Sequence, residues 1–383
     1  MKKMIYISVF IILAATAILV LFLLSRGSSA EESKADISTE SISDKVADSA
    51  SDKNSQSSSD ENDESSSDEN GTSSTNQSDD NGSFDPRSYA ERYRKTVESQ
   101  KYIIHALGGM NGTDKYINSI DPLRLIYAEG YRLFEADVSF TSDGKLVLAH
   151  SGRDNIWTKS DWEDRLGQDF PFESESGSES ESVTAYDKHL CSYDTFMNFK
   201  IQKKYKATSF KELVIFMAEH DDMFVMIDGG ERSYQDTKTF YSAILEETRE
   251  TLDELYIEST SSEENNMLDD VLGRMVVGGQ TIEMLNAVKE VYDFPLINFY
   301  YNSNDKREGE LCKPIDFIHY CDDNGVSSFS VSKDVYDQIT AEELEKSTLM
   351  SFVFTVNDPA EEARIKAYGA DIIGTDFLWD KQE

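Results

Sequence analysis

A chain of 383 residues is long enough for one large domain or two ordinary ones. Its 37 Lys and Arg stand against 73 Asp and Glu, a formal net charge of −36. That balance argues against nucleic acid as a partner, because phosphate backbones attract cationic surfaces, and against loose adhesion to anionic lipid. Three cysteines, Cys191, Cys312 and Cys321, are too few for a disulfide scaffold and fit no zinc spacing; at most one bridge can form, with Cys312 and Cys321 the nearest pair.

Three zones follow one another. Met4 to Leu24 is an uncharged, mostly apolar run of 21 residues. As a helix it would span about 30 Å, the thickness of a bilayer core. Lys2 and Lys3 precede it and acidic sequence follows, so the positive-inside rule puts the N-terminus in the cytoplasm and the rest outside. A cleaved signal peptide, with Ser28-Ser29-Ala30 as its small-residue site, is the competing reading; the length of the run favours a retained signal anchor over residues 1–30. In residues 31–85, 17 of 55 positions are Ser, and 16 acids face 3 lysines. Such a segment buries too little apolar surface to offset its ordering entropy, which predicts a disordered linker.

From residue 86 onward apolar runs alternate with amphipathic ones. Strands are expected at Tyr102 to Ile104, Tyr131 to Val138, Lys145 to Ala149, Met223 to Ile227, Arg274 to Val277, Pro295 to Tyr300, Val326 to Phe329 and Ser351 to Val356. Helices are expected at Ser119 to Glu129, Ser209 to Glu219, Tyr234 to Leu255, Ile282 to Val291 and Pro359 to Tyr368. This alternation predicts an α/β fold with a parallel sheet. Around eight strands points to a TIM-type (β/α)8 barrel over 86–383, with a doubly wound open sheet as the alternative. Residues 174–182 (SESGSESES) read as a surface loop.

The stretch that carries chemistry runs from Tyr131 to His150. Glu135 and Asp137 lie two apart in an extended run, so both carboxylates face one side. Asp143-Gly144 is a hairpin signal; with those two residues as the turn, Asp137 falls opposite His150. Two carboxylates and a histidine at one end of a barrel would form a metal-plus-base site, with oxygen ligands suited to Ca²⁺ or Mg²⁺. A plain polar strand face and a surface histidine is the other reading. His105 ends the first strand and precedes Ala106-Leu107-Gly108-Gly109, a turn that would let backbone approach a ligand. His189, His220 and His319 fall in loops or helical stretches and read as structural or exposed.

The order strand-His-turn-Gly, Glu-x-Asp, Gly turn, strand-His resembles the glycerophosphodiester phosphodiesterases, within the phosphatidylinositol-specific phospholipase C-like superfamily. Phe354-Thr355-Val356-Asn357-Asp358 and Gly369-Ala370-Asp371-Ile372-Ile373-Gly374-Thr375-Asp376 are similar to the family's late strand motif and closing motif. The resemblance implies a divalent-metal phosphodiesterase releasing glycerol 3-phosphate. It makes His105 and His150 the acid–base pair; His105 as base and His150 as acid is the order taken here, which the sequence itself does not fix. Glu135, Asp137 and Asp228 would be metal ligands and Asn118 would fall on the Asn of the family's Glu-Asn-Thr motif, a substrate-binding position; beside the resemblance, the Gly108 and Gly109 amides are candidates to bind the substrate's phosphate. Asn118 has a competing role as cap of the following helix. The chain departs from the family at three places: Ala106 stands where an Arg usually follows the first His, Ile117 where a Glu precedes the Asn, and Gly230 where a Lys follows the third carboxylate. The phosphate charge must then be met from elsewhere, with Arg153 and Lys313 as candidates. Two alternatives stay open: a phospholipase C-like enzyme on intact lipid or envelope polymer, for which Phe299, Tyr300 and Tyr301 would supply an apolar rim, and a weakened barrel that binds an envelope ligand.

Overall fold

The computed structural model describes residues 85–150, 161–168, 191–230, 232–256, 261–303, 306–307 and 310–381. The anchor over 1–30, the linker up to residue 84, the loop 174–182, Arg153 and His189 lie outside these. Among the described residues no helix is long and apolar enough to cross a membrane.

Among the described residues thirteen strands form: β1 (Tyr102–Ile104), β2 (Leu133–Phe140), β3 (Leu146–Leu148), β4 (Lys200–Ile201), β5 (Tyr205–Lys206), β6 (Phe224–Asp228), β7 (Met275–Gly279), β8 (Ile297–Tyr300), β9 (Lys306–Arg307), β10 (Glu310–Leu311), β11 (Ser328–Ser332), β12 (Met350–Phe354) and β13 (Ile372–Thr375). Eight of them pair in parallel in the order β1-β13-β12-β11-β8-β7-β6-β2, and β1 also pairs with β2. The sheet therefore closes into a (β/α)8 barrel, and the open-sheet alternative falls away.

The period-2 pattern sorts the side chains. Ile103, Leu133, Phe224, Met226, Val276, Phe352 and Ile372 fill the barrel with Tyr93 and Val97. Those last two come from helix Pro86–Gln100, which Asp85 caps and Pro86 opens. The alternate residues, such as Phe134, Val225, Val277, Phe299 and Ile373, pack outward among the helices. Ser209 and Glu212 form a reciprocal capping box on helix Phe210–Glu219.

Two expectations are corrected. The anticipated Lys145–Ala149 strand is not a barrel stave: β3 pairs antiparallel with the end of β2. The eighth stave is β13, inside the closing motif. The hairpin register is also shifted by one, because Val138 faces Leu148 and Ser139 faces Val147. The Gly144 amide donates to the Thr141 carbonyl at 2.9 Å, and Gly144 has φ +76. The loop thus holds three residues and ends on a left-handed glycine, the geometry of a G1 bulge. Position 149, not His150, lies beside Asp137, whose carbonyl accepts from the Ala149 amide at 2.9 Å. All three cysteines are free.

Candidate active site

Strand alternation turns Glu135 and Asp137 into the barrel, and register places Asp137 beside Asp228 on the neighbouring strand. One carboxylate oxygen from each of Glu135, Asp137 and Asp228 lies within 4.8 Å of the others. Glu135 and Asp137 are each 3% exposed. Burial, then the Asp137 charge, pushes the Glu135 carboxyl well above its ordinary value, and the same two causes raise Asp228. Buried carboxyls that converge and, as Glu135 and Asp228 do, resist ionisation suit a cation. Oxygens on opposite sides of one Ca²⁺ sit about 5 Å apart, given bonds of about 2.3–2.6 Å, so this donor set fits a single hard cation. Beneath it the buried Tyr300 hydroxyl has no hydrogen-bond partner and feels the charges of Asp228, Glu135 and Asp137.

Each acid is held by a neighbour. Glu135 accepts the Ala106 amide at 2.7 Å. Asp228 accepts the Gly230 amide at 2.7 Å, which gives the glycine at the family's usual Lys position a role in turning the chain at φ +68. Asn118 clamps Asp137 from both ends: its Nδ2 donates to Asp137 Oδ2 at 2.7 Å, and its Oδ1 accepts from the Asp137 amide at 3.0 Å. The helix cap is Ser119, whose Oγ accepts from the Asp121 amide. Asn118 is therefore free of that duty.

His105 Nδ1 lies 2.8 Å from Asp376 Oδ1, and Asp376 is fixed in turn by Asn357 Nδ2 at 2.7 Å. Burial alone would lower the imidazole. The Asp376 hydrogen bond and the charges of Glu135, Asp376 and Asp137 outweigh it and raise His105 to about 9. In the absence of a bound cation, a histidine in that state is equipped to give up a proton. His150 stands apart from it with Tyr116 between them: the Tyr116 ring meets His105 edge-on at 5.1 Å and His150 at 5.6 Å. Arg165 Nη1 contacts His150 Nδ1.

Several expected site residues serve otherwise. The Gly108 amide donates to the His105 carbonyl at 2.9 Å and the Gly109 amide to the Asp376 carbonyl at 3.1 Å, so both amides are already committed within the protein. Neither glycine has room for a side chain: a Cβ on Gly108 would lie 2.1 Å from Ile126 Cδ1, and one on Gly109 2.4 Å from the Phe377 ring. Packing and these internal bonds account for both glycines without a ligand. Phe299 and Tyr301 are buried, and Tyr300 packs against the barrel interior, so the apolar rim expected of them does not form. His220 stacks on Phe216 at 4.0 Å and is structural. Lys313 is exposed just ahead of helix Ile315–Asp323. Sequence reading missed Asp376 as a histidine partner, and it missed Tyr116 and Arg165. The closing motif contained Asp376, but its partner lies 271 residues away.

The acids and the Asp376-backed histidine stand at the C-terminal ends of the barrel strands, where catalytic groups of (β/α)8 enzymes gather. Three converging carboxylates that could hold a cation, with two imidazoles nearby, make up a candidate hydrolase site. The glycerophosphoryl diester phosphodiesterase family model matches residues 111–379, and the chain belongs to that family of phosphoric diester hydrolases. The match begins after His105; pairing of β1 with β13 and β2 brings that histidine into the site. No curated protein matches. Solved structures similar to this chain include a glycerophosphodiester phosphodiesterase from Parabacteroides distasonis (15% identity, covering 73% of this chain and 94% of that one, TM-score 0.47). Another is an Oleispira antarctica phosphodiesterase in complex with the product sn-glycerol-3-phosphate (11% identity, 73% and 94% covered, TM-score 0.47). A third is a glycerophosphodiester phosphodiesterase from Thermotoga maritima (16% identity, 72% and 94% covered, TM-score 0.43).

Proposed function

We propose that the protein hydrolyses glycerophosphodiesters to glycerol 3-phosphate and an alcohol, using His105 and His150 as the acid–base pair and Glu135, Asp137 and Asp228 to hold Ca²⁺ or Mg²⁺. The observation that carries this reading is the convergence of three acids beside a histidine hydrogen-bonded to Asp376. A bound divalent cation would neutralise the phosphodiester charge and ease ionisation of the attacking hydroxyl. Asn118 holds Asp137 in its ligating orientation, and the Ala106 and Gly230 amides do the same for Glu135 and Asp228.

The attacking hydroxyl loses its proton to His150 as its oxygen bonds phosphorus: water gives glycerol 3-phosphate directly, whereas the substrate's own glycerol hydroxyl gives a cyclic phosphate that water then opens to glycerol 3-phosphate. The bond from phosphorus to the leaving alcohol breaks, and His105 Nε2 gives that oxygen a proton. Nδ1 of His105 is occupied by Asp376, which leaves Nε2 as the nitrogen that faces substrate. Tyr116 between the rings keeps acid and base apart, as displacement with entering and leaving oxygens on opposite sides of phosphorus demands. His105→Ala and His150→Ala should each lower turnover by about 100-fold or more while circular dichroism stays unchanged. Full activity in either variant removes that histidine from the mechanism.

We further infer a signal anchor over 1–30, a linker over 31–85 and the barrel domain over 86–383, with the barrel outside a cell membrane. The apolar run, the two lysines before it and the serine- and acid-rich stretch after it support that arrangement. Protease accessibility of the barrel in intact cells tests it; protection would place the domain inside.

A further inference from the structure

The site has many negative groups, yet its substrate is an anion. Glu135, Asp137, Asp228 and Asp376 surround the reaction centre. One divalent cation among them leaves little positive charge for the phosphate's non-bridging oxygens. The position directly after the first histidine offers none: Ala106 is fully buried and its amide is spent on Glu135. A cation must come from another segment of the chain.

We propose that Arg165 is the phosphate-binding residue, delivered by the insertion that follows β3. This inference deepens the proposed function and rests on it. The helical turn Asp161–Leu166 presents Arg165 from a small core of its own. Trp162 and Leu166 on that turn are buried with Ile117, Val147, Ala149, Phe196 and Ile201. Two of those partners, Ile117 and Ala149, directly precede Asn118 and His150, so the core that seats the arginine also seats the site. The Gln202 amide donates to the Leu166 carbonyl at 2.7 Å and ties the turn to the β4–β5 hairpin.

Arg165 faces the reaction centre. Its guanidinium carbon lies 5.0 Å from the centroid of Tyr116, the ring that touches both histidines. Its Nη1 contacts His150. Other cations lie against other rings: Arg232 stacks over Phe240 at 4.4 Å, and the exposed Lys115 lies over Phe377 at 5.8 Å. A guanidinium only donates, so its contact with His150 requires the lone pair of Nδ1. A phosphodiester anion is a stronger partner than a neutral imidazole, and its paired oxygens match the guanidinium fork. Substrate would therefore draw Arg165 from His150 onto phosphate and uncover the nitrogen that takes the proton.

The test uses the full chain and Arg165→Gln and Arg165→Lys variants, with inorganic phosphate as the probe. Phosphate inhibition of glycerophosphodiester hydrolysis and phosphate binding by calorimetry are both measured, with circular dichroism and Ca²⁺ affinity as controls. Arg165→Gln should weaken phosphate binding and raise KM by about 10- to 100-fold, the range of a hydrogen bond to a charged group. Ca²⁺ affinity should not change. Arg165→Lys keeps charge without the fork and should fall between; it decides the matter if the Gln variant fails to fold. Phosphate affinity within twofold of the parent in a folded variant overturns the assignment, as does a fall in kcat with phosphate inhibition intact. If the parent chain hydrolyses nothing yet binds phosphate through Arg165, the hydrolytic reading fails and the binding site stands. If the parent binds no phosphate, Arg165 has no such role.

Discussion

Two Asn–Asp pairs organise the site. Asn118 fixes Asp137 and Asn357 fixes Asp376, and each acid serves a different task. Neither pairing is readable from the sequence, because the partners come from separate segments and the short side chains carry no periodic signal. Asn118 sits at φ +46, a backbone state that Asn adopts more readily than most residues. Asn118→Ala should weaken Ca²⁺ or Mg²⁺ binding by about 10- to 100-fold, as loss of a ligand's hydrogen-bond partner does in metal sites; calorimetric titration checks it, and unchanged affinity contradicts the clamp. Asp376→Asn should return His105 from about 9 towards 6.5 in the metal-free chain, as followed by NMR of the imidazole. The raised value also carries a stability consequence. The charged pair contributes fully below pH 6.5, and its contribution is lost as pH rises through about 9. The metal-free parent should therefore lose stability over that interval relative to Asp376→Asn; parallel pH–stability curves for the two would contradict the pairing.

Element placement was largely legible, and the errors have identifiable causes. Helix Tyr234–Leu255 and strand β1 match the expected bounds because both are strongly patterned and cleanly capped or terminated. The barrel has the expected eight staves but not the expected set: the sequence pattern offers β3 as a stave, and β13, inside the closing motif, takes its place. β13 is four residues long and contains Gly374, so it gives little strand signal by composition. Helices Pro86–Gln100, Ser261–Gly273, Ile315–Asp323 and Gln338–Glu345 escaped because their sequences are mostly polar or their apolar stripes short. The hairpin missed by one residue because Asp143-Gly144 serves a three-residue loop as readily as a two-residue one, and only the ladder decides. The insertion that carries Arg165 depends on Gly167, which has φ +65 and whose Cβ would fall 2.6 Å from Gln202 Cα. Gly167→Ala should cost about 1–2 kcal/mol from the left-handed backbone alone, with more from the clash. Denaturant unfolding should show that loss together with a raised KM; a stable, fully active variant would contradict the role given to the turn.

At the scale of the molecule, a closed parallel barrel makes one strand face do two jobs. Leu133 and Phe224 fill the interior, while Glu135, Asp137 and Asp228 on the same face of the same strands form the site above them. The sequence therefore reveals the core and the acids together, as an apolar alternation that turns acidic at the strand's end. Residues 86–383 carry about −26 of the net charge, so steering of an anionic substrate falls to local cations and the bound metal. The central claim is that this acidic barrel is a metal-dependent glycerophosphodiesterase. The direct measurement is release of glycerol 3-phosphate from glycerophosphodiesters by the full chain, first with EDTA and then with Ca²⁺ or Mg²⁺ restored. No release in EDTA and recovery with either cation is the predicted result. Equal release with and without metal would contradict the ligand role of Glu135, Asp137 and Asp228, and no release from a folded chain that binds the cation would contradict the substrate.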